Sequence, residues 1–219
     1  MIELVLLDLD GTLADTAPDL GAALNALRAE RNLPPMDIDP LRPAVGAGTP
    51  AILNVGLGIN KAHPEFERLR QRFLDLYAQR LTVGTRLYPG TEDLLDELEA
   101  QDLRWGIVTN KPQRFTNPLV EALGLTKRAA CVISGDQVHA PKPAPDPLIL
   151  AARKASVAPT RGLYLGDSPT DVVAARAAGM RALVAGWGYI ARGDDPMRWN
   201  PDAVLAAPKH LIAWLLVHG

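Results

Sequence analysis

Apolar residues fill Ile2 to Leu7 with the single exception of Glu3, then give way at once to Asp8-Leu9-Asp10-Gly11-Thr12. That run predicts a strand buried on both faces, with functional groups at its C-terminal end. From Pro18 to Arg31 the period changes, and Leu20, Leu24 and Leu27 form one stripe of a helix. Pro34, Pro35, Pro40 and Pro43 break the next stretch into short pieces, and Gly46, Gly48, Gly56 and Gly58 add flexible points. A second helix is predicted from Pro64 to about Leu81, with Phe66, Leu69, Phe73, Leu76 and Tyr77 on its apolar side. No strand pattern occurs between about Asp15 and Thr85.

Beyond Tyr88-Pro89-Gly90 the chain alternates regularly. Helices are expected at Thr91 to Gln101, Arg114 to Leu123, Asp146 to Ser156 and Asp171 to Ala178. Strands are expected at Arg104 to Val108, Ala130 to Ser134, Gly162 to Leu165 and Arg181 to Ala185. Gly124 and Gly179 close two of the helices. The alternation predicts an α/β fold: a doubly wound, mostly parallel sheet covered on both faces. Residues 1–14 and 86–219 would form this Rossmann-like core, with an all-helical domain, 15–85, inserted after the first strand. Polar residues gather just past the strand ends, at 8–12, 109–110, 134–136 and 166–171, the edge at which open α/β sheets bind ligands.

Composition narrows the partners. Twenty-three Lys and Arg stand against 25 Asp and Glu, and no basic block is long enough to follow a nucleic acid backbone. No apolar run is long enough to span a membrane, and Asp8 and Asp10 interrupt the N-terminal apolar stretch, which does not fit a signal peptide. A cytoplasmic protein with a small-molecule partner is the expectation; monomer and dimer are both compatible with it. The lone Cys131 lies in an apolar run and reads as a buried strand residue in a reducing compartment.

Asp8 and Asp10 stand two residues apart at a strand end, and as anions they repel each other. A cation relieves that repulsion, and magnesium is the natural candidate. Gly11 lets the backbone bend around a small ligand. Asp167 follows Gly166 at another strand end and is placed to be an oxygen ligand, whereas Asp171 could either cap the following helix or reach the same cation. Thr12, Thr109 and Asn110 offer hydroxyl and amide donors suited to phosphate oxygens. Lys142, held between Pro141 and Pro143, presents an aimed ammonium.

Asp8-Leu9-Asp10-Gly11-Thr12, the strand ending in Thr109-Asn110, Lys142 within Pro-Lys-Pro, and Gly166-Asp167 followed by Asp171 resemble, in order and spacing, the four motifs of the haloacid dehalogenase-like hydrolases. The resemblance covers essentially the whole chain, and it implies that the helical insert is a cap over the site. It implies that Asp8 is a nucleophile forming an aspartyl-phosphate and that Asp10 is the acid and base. Thr109 would then hold the phosphoryl group, and Lys142 would stabilise its charge. Magnesium would be held by Asp8, the carbonyl of Asp10 and Asp167, with Asp171 in support. Asp10 favours phosphate esters over haloacids, since a leaving halide needs no proton. A phosphomutase, a phosphorylated signalling module and a non-catalytic binding protein are the competing classes.

A closing cap favours a small phosphomonoester. Arg42, Gly46 and Gly48 are the candidate cap contacts. Two branches are similar to the chain: phosphoglycolate phosphatases, through Val108-Thr109-Asn110-Lys111-Pro112, and N-acetylmuramic acid 6-phosphate phosphatases of cell-wall recycling. The second resemblance begins at Trp105 and extends through Arg114-Phe115, Gly188-Tyr189-Ile190, Asp195-Pro196 and Trp199, and the tail tips the expectation toward the sugar phosphate. Trp187 and Tyr189 are expected either to line the site or to pack on the sheet, and Trp199 and Trp214 to pack.

Overall fold

The computed structural model describes residues 1–218. In chain order its elements are β1 (Leu4–Leu7), β2 (Ala14–Asp15), α1 (Ala17–Glu30), α2 (Arg42–Val45), α3 (Thr49–Leu57), α4 (Phe66–Ala78) and β3 (Arg86–Leu87). There follow α5 (Thr91–Ala100), β4 (Arg104–Val108), α6 (Gln113–Ala122), β5 (Val132–Ile133), α7 (Asp146–Lys154) and β6 (Gly162–Gly166). The chain ends with α8 (Pro169–Ala177), β7 (Arg181–Ala185), β8 (Ala203–Leu205) and α9 (His210–His218).

Six strands form one sheet in the order β5-β4-β1-β6-β7-β8, and every neighbouring pair is parallel. All four residues of β1 are buried, because it runs down the middle with helices on both faces. Successive side chains of a strand point to opposite faces. Val5 and Leu7 therefore join Ile107, Leu163 and Leu165 in one apolar layer, while Leu4 and Leu6 join Val108, Tyr164 and Val184 in the other. The sheet is the expected α/β core, and the expected helical cap is inserted into it.

β1 is flanked by β4 and β6, so the chain winds away from it in both directions. A crevice opens at such a reversal, outside the carboxyl ends of the strands. The cap leaves and rejoins the core through β2 and β3, which pair antiparallel, Ala14 with Leu87 and Asp15 with Arg86. Asp19 ties the two passages together: its carboxylate accepts from the Gly84 and Thr85 amides and from the Thr85 hydroxyl, each at 2.8 Å. Inside the cap, α1 packs along α4, and Leu24, Leu27, Phe73 and Tyr77 are all buried there.

The structure departs from the sequence expectation in the glycine-rich stretch. Between Gly48 and Gly58 lies not a flexible connection but a helix, α3, started by Pro50 in its first turn and ended by Gly58 in the left-handed conformation. β8 and the apolar α9 are further elements that the alternation did not announce. No helix among the described residues is long and apolar enough to cross a membrane.

Candidate active site

Three neighbouring strands each deliver a polar residue to the same edge. Asp8 follows β1, Thr109 follows β4 and Asp167 follows β6, and the β1–β4 and β1–β6 registers align these strand ends. Lys142 reaches in from the segment before α7, and Asp171 from the first turn of α8. One oxygen from each of Asp8, Asp167 and Asp171 falls within 4.8 Å of the others.

Lys142 is the cation at the centre of this cluster. Its Nζ lies 3.1 Å from Asp8 Oδ1 and 2.8 Å from Asp171 Oδ1, and it donates to the Tyr164 hydroxyl at 2.6 Å. The main chain that aims it is clamped by Asn110, whose side chain accepts from the Lys142 amide at 2.9 Å and donates to its carbonyl at 2.8 Å. Asp171 combines the two roles left open for it. Its Oδ2 accepts from the Asp167 and Ser168 amides and the Ser168 hydroxyl, closing a capping box at the start of α8, while its Oδ1 faces Lys142.

Three carboxylates against one ammonium leave surplus negative charge in a dry place. Asp167 meets no cationic side chain among the described residues; its oxygens accept from the Thr12 hydroxyl at 3.0 Å and the Tyr189 amide at 2.8 Å. Burial, with Asp171 and Asp10 adding to it and Lys142 opposing, pushes the Asp8 carboxyl up to about 7. Burial and Asp8 likewise push Asp167 well above the usual carboxylate range. An all-oxygen set starved of positive charge fits a hard divalent cation.

Space for these carboxylates depends on missing side chains. A Cβ on Gly11, where φ is +81°, would come 2.2 Å from Asp167 Oδ2. One on Gly188 would come 2.2 Å from Asp167 Cβ, and one on Gly166 would come 2.4 Å from Asp171 Cγ.

The Asp10 side chain turns away from the cluster. It is held by the Lys111 ammonium, 2.8 Å from Oδ1 and 3.1 Å from Oδ2, and accepts from the Thr16 hydroxyl. Any part of Asp10 in metal binding therefore rests on its main-chain carbonyl. A cavity of about 480 Å³ runs between core and cap, and Asp8, Asp10, Thr109, Asn110, Lys142, Asp171, Gly46 and Gly48 all face it.

Two expected substrate contacts lie elsewhere. Thr12 is buried and supports Asp167, and Arg42 pairs with Asp15 at 2.7 Å near the cap's point of attachment. Tyr189 serves the same junction. Its hydroxyl accepts from the Thr16 and Ala17 amides and donates to Asp15 Oδ1 at 2.8 Å, which ties the post-β7 loop to the start of α1. Trp187 donates to the Thr12 carbonyl at 3.0 Å. Sequence reasoning assigned no role to Lys111, although its place two residues past Thr109 at a strand end was a usable signal, and it read Tyr77 only as an apolar position of α4.

Comparison with known proteins agrees with this geometry. The haloacid dehalogenase-like hydrolase family matches residues 5–185. The chain is 40% identical over 211 residues to the N-acetylmuramic acid 6-phosphate phosphatase of Pseudomonas aeruginosa, covering 96% of this chain and 93% of that one. It is 42% identical over 207 residues to the phosphoglycolate phosphatase of Xanthomonas campestris pv. campestris, covering 94% and 93%. It superposes on the crystal structure of a predicted phosphoglycolate phosphatase from Haemophilus somnus 129pt with a TM-score of 0.86, at 26% identity and 98% coverage of both chains. With the acidic cluster at the end of β1 and a match over most of its length, the chain belongs to the haloacid dehalogenase-like hydrolases and is a phosphatase of that family.

Proposed function

We propose that the chain is a magnesium-dependent phosphomonoesterase acting on a small carboxylate-bearing ester, 2-phosphoglycolate foremost. The observation that carries the reading is the cluster of partly buried Asp8 with buried Asp167, Asp171 and Lys142, of which Asp8, Asp171 and Lys142 face a cavity that also holds a separate carboxylate, Asp10. Asp8 attacks phosphorus, the ester oxygen departs with the proton of Asp10, and an aspartyl-phosphate is left on Asp8. Asp10 then takes a proton from water as that water attacks the phosphoryl group, which frees Asp8 and inorganic phosphate. Thr109 and Lys142 donate to the phosphoryl oxygens throughout, and Asn110 keeps Lys142 aimed. When bound by Asp8, the Asp10 carbonyl, Asp167 and Asp171, magnesium supplies the charge that lets anionic nucleophile and anionic ester approach. Residues 15–85 act as the cap, hinged near Asp15 and Thr85.

The choice of substrate follows the relatives. The phosphoglycolate reading is supported by more of these relatives, the 42% identical Xanthomonas protein and the Haemophilus somnus structure described as a predicted phosphoglycolate phosphatase, while the 40% identical Pseudomonas protein and the tail motif support the sugar phosphate. A second reading, N-acetylmuramic acid 6-phosphate, is favoured by the cavity, whose volume of about 480 Å³ exceeds the needs of a two-carbon acid.

Steady-state phosphate release from both esters, side by side with magnesium, separates them. A tenfold higher kcat/KM for 2-phosphoglycolate, about 1.4 kcal/mol of transition-state preference, is the expected result; the reverse ratio would assign the sugar phosphate. Asp8→Asn should lower kcat by a factor on the order of 10⁴ or more, and near-normal release would remove Asp8 as nucleophile.

A further inference from the structure

Lys111 and Tyr77 face the same cavity from opposite sides, one from the core just past β4 and one from cap helix α4. Lys111 Nζ lies over the Tyr77 ring, 5.0 Å from its centroid, and only 8% of the lysine side chain is exposed. An ammonium has three donors, and the contacts to Asp10 use two at most. Tyr77 is 1% exposed, yet its hydroxyl has no hydrogen-bond partner among the described residues. Buried hydroxyls are rarely left so, because the unmade bond is costly.

We propose that Lys111 and Tyr77 form a subsite that reads a carboxylate standing one carbon from the ester oxygen. The inference rests on the phosphatase reading above and deepens it by naming how the substrate is selected. When phosphorus is at Asp8 and the ester oxygen at Asp10, the carboxylate of 2-phosphoglycolate lies a single methylene farther on. Lys111 is the ammonium in direct contact with Asp10, 2.8 Å from its Oδ1, whereas Lys142 is engaged by Asp8 and Asp171. A carboxylate there takes the spare ammonium donor and gives the Tyr77 hydroxyl an acceptor. An ester without it leaves both unmet, the kind of loss that discriminates strongly between otherwise similar substrates.

The subsite is complete only with α4 seated over the core, so the same carboxylate also rewards cap closure. Lys61 and Arg70 face the cavity as well, but Arg70 is 41% exposed and leans on Glu67 at 3.4 Å, a solvated pairing poorly suited to selection.

The experiment compares kcat/KM for 2-phosphoglycolate and ethyl phosphate, which lacks the carboxylate, in the full-length magnesium-loaded enzyme and in Tyr77→Phe, Lys111→Met and Arg70→Ala. The parent should prefer 2-phosphoglycolate strongly. Tyr77→Phe should narrow that ratio at least about tenfold, mainly through KM, and Lys111→Met should narrow it further while slowing both esters through Asp10. Arg70→Ala should keep the ratio.

Equal losses on both esters in Tyr77→Phe and Lys111→Met would reduce the pair to supports of Asp10 and overturn the subsite. So would a parent without preference, or a preference lost only in Arg70→Ala. Each of those results leaves the phosphatase reading standing; phosphate release from neither ester by the parent would overturn both.

Discussion

Asp8, Asp167, Asp171 and Lys142 share the end of β1, and the protonation of Asp8 follows from how little water reaches it. Asp8 keeps its proton to about pH 7, where an exposed aspartate would lose it near 3.8. Between those limits the folded chain binds a proton that the unfolded chain has released. In the absence of a cation, stability therefore falls as pH rises through this window and levels off above about 7. A divalent cation takes over the proton's role as counter-charge. Millimolar magnesium should accordingly raise the melting temperature more at about pH 8 than at about pH 5, which thermal melts at the two pH values would show; equal increments would remove Asp8 from the metal site. Asp8 and Asp167 were legible because each directly follows a strand end in the sequence, whereas Asp171, in the first turn of α8, left helix capping and cation binding both open. Tyr77 and Gly188 were not, since their importance comes from what the fold brings opposite them, an ammonium and the Cβ of Asp167; Lys111 carried a positional signal just past β4, but only the fold shows the carboxylate it meets.

At the level of elements, strands buried on both faces announce themselves as short aliphatic runs, and β1, β4, β6 and β7 were all visible in that way. α3 was hidden because Gly56 within it lowers helix propensity and Gly48 and Gly58 stand at its two ends, and its stability comes from packing. Gly56 shows how: a Cβ there would lie 2.4 Å, 2.5 Å and 2.8 Å from Leu24 Cδ1, Cδ2 and Cγ. Propensity alone favours alanine over glycine in a helix by about 1 kcal/mol. Contact with the buried body of Leu24 reverses the sign, and Gly56→Ala should destabilise the protein by about 1–3 kcal/mol, measured by urea unfolding. A stabilised variant would mean that α1 and α3 are free to separate. β8 is three residues long and α9 lacks a polar face, so neither carries a period that the sequence could reveal.

For the whole molecule, the relation of cap to core matters most, and it passes through few residues. Asp19 bonds to both Gly84 and Thr85, so removing it leaves buried donors without acceptors at the junction. Asp19→Ala should cost about 3 kcal/mol and lower kcat/KM by loosening cap seating, as seen in unfolding curves and phosphate release. A variant as stable and active as the parent would show that the junction is held elsewhere. The pairing of Ala14 with Leu87 and of Asp15 with Arg86 has a consequence for topology. It makes the cap the overgrown turn of a β-hairpin, and closing a long turn costs little more entropy than closing a short one. A chain in which a two-residue turn joins Asp15 directly to Arg86 should therefore retain the six-stranded sheet, and with its roof gone it should admit bulky phosphoesters that the parent rejects.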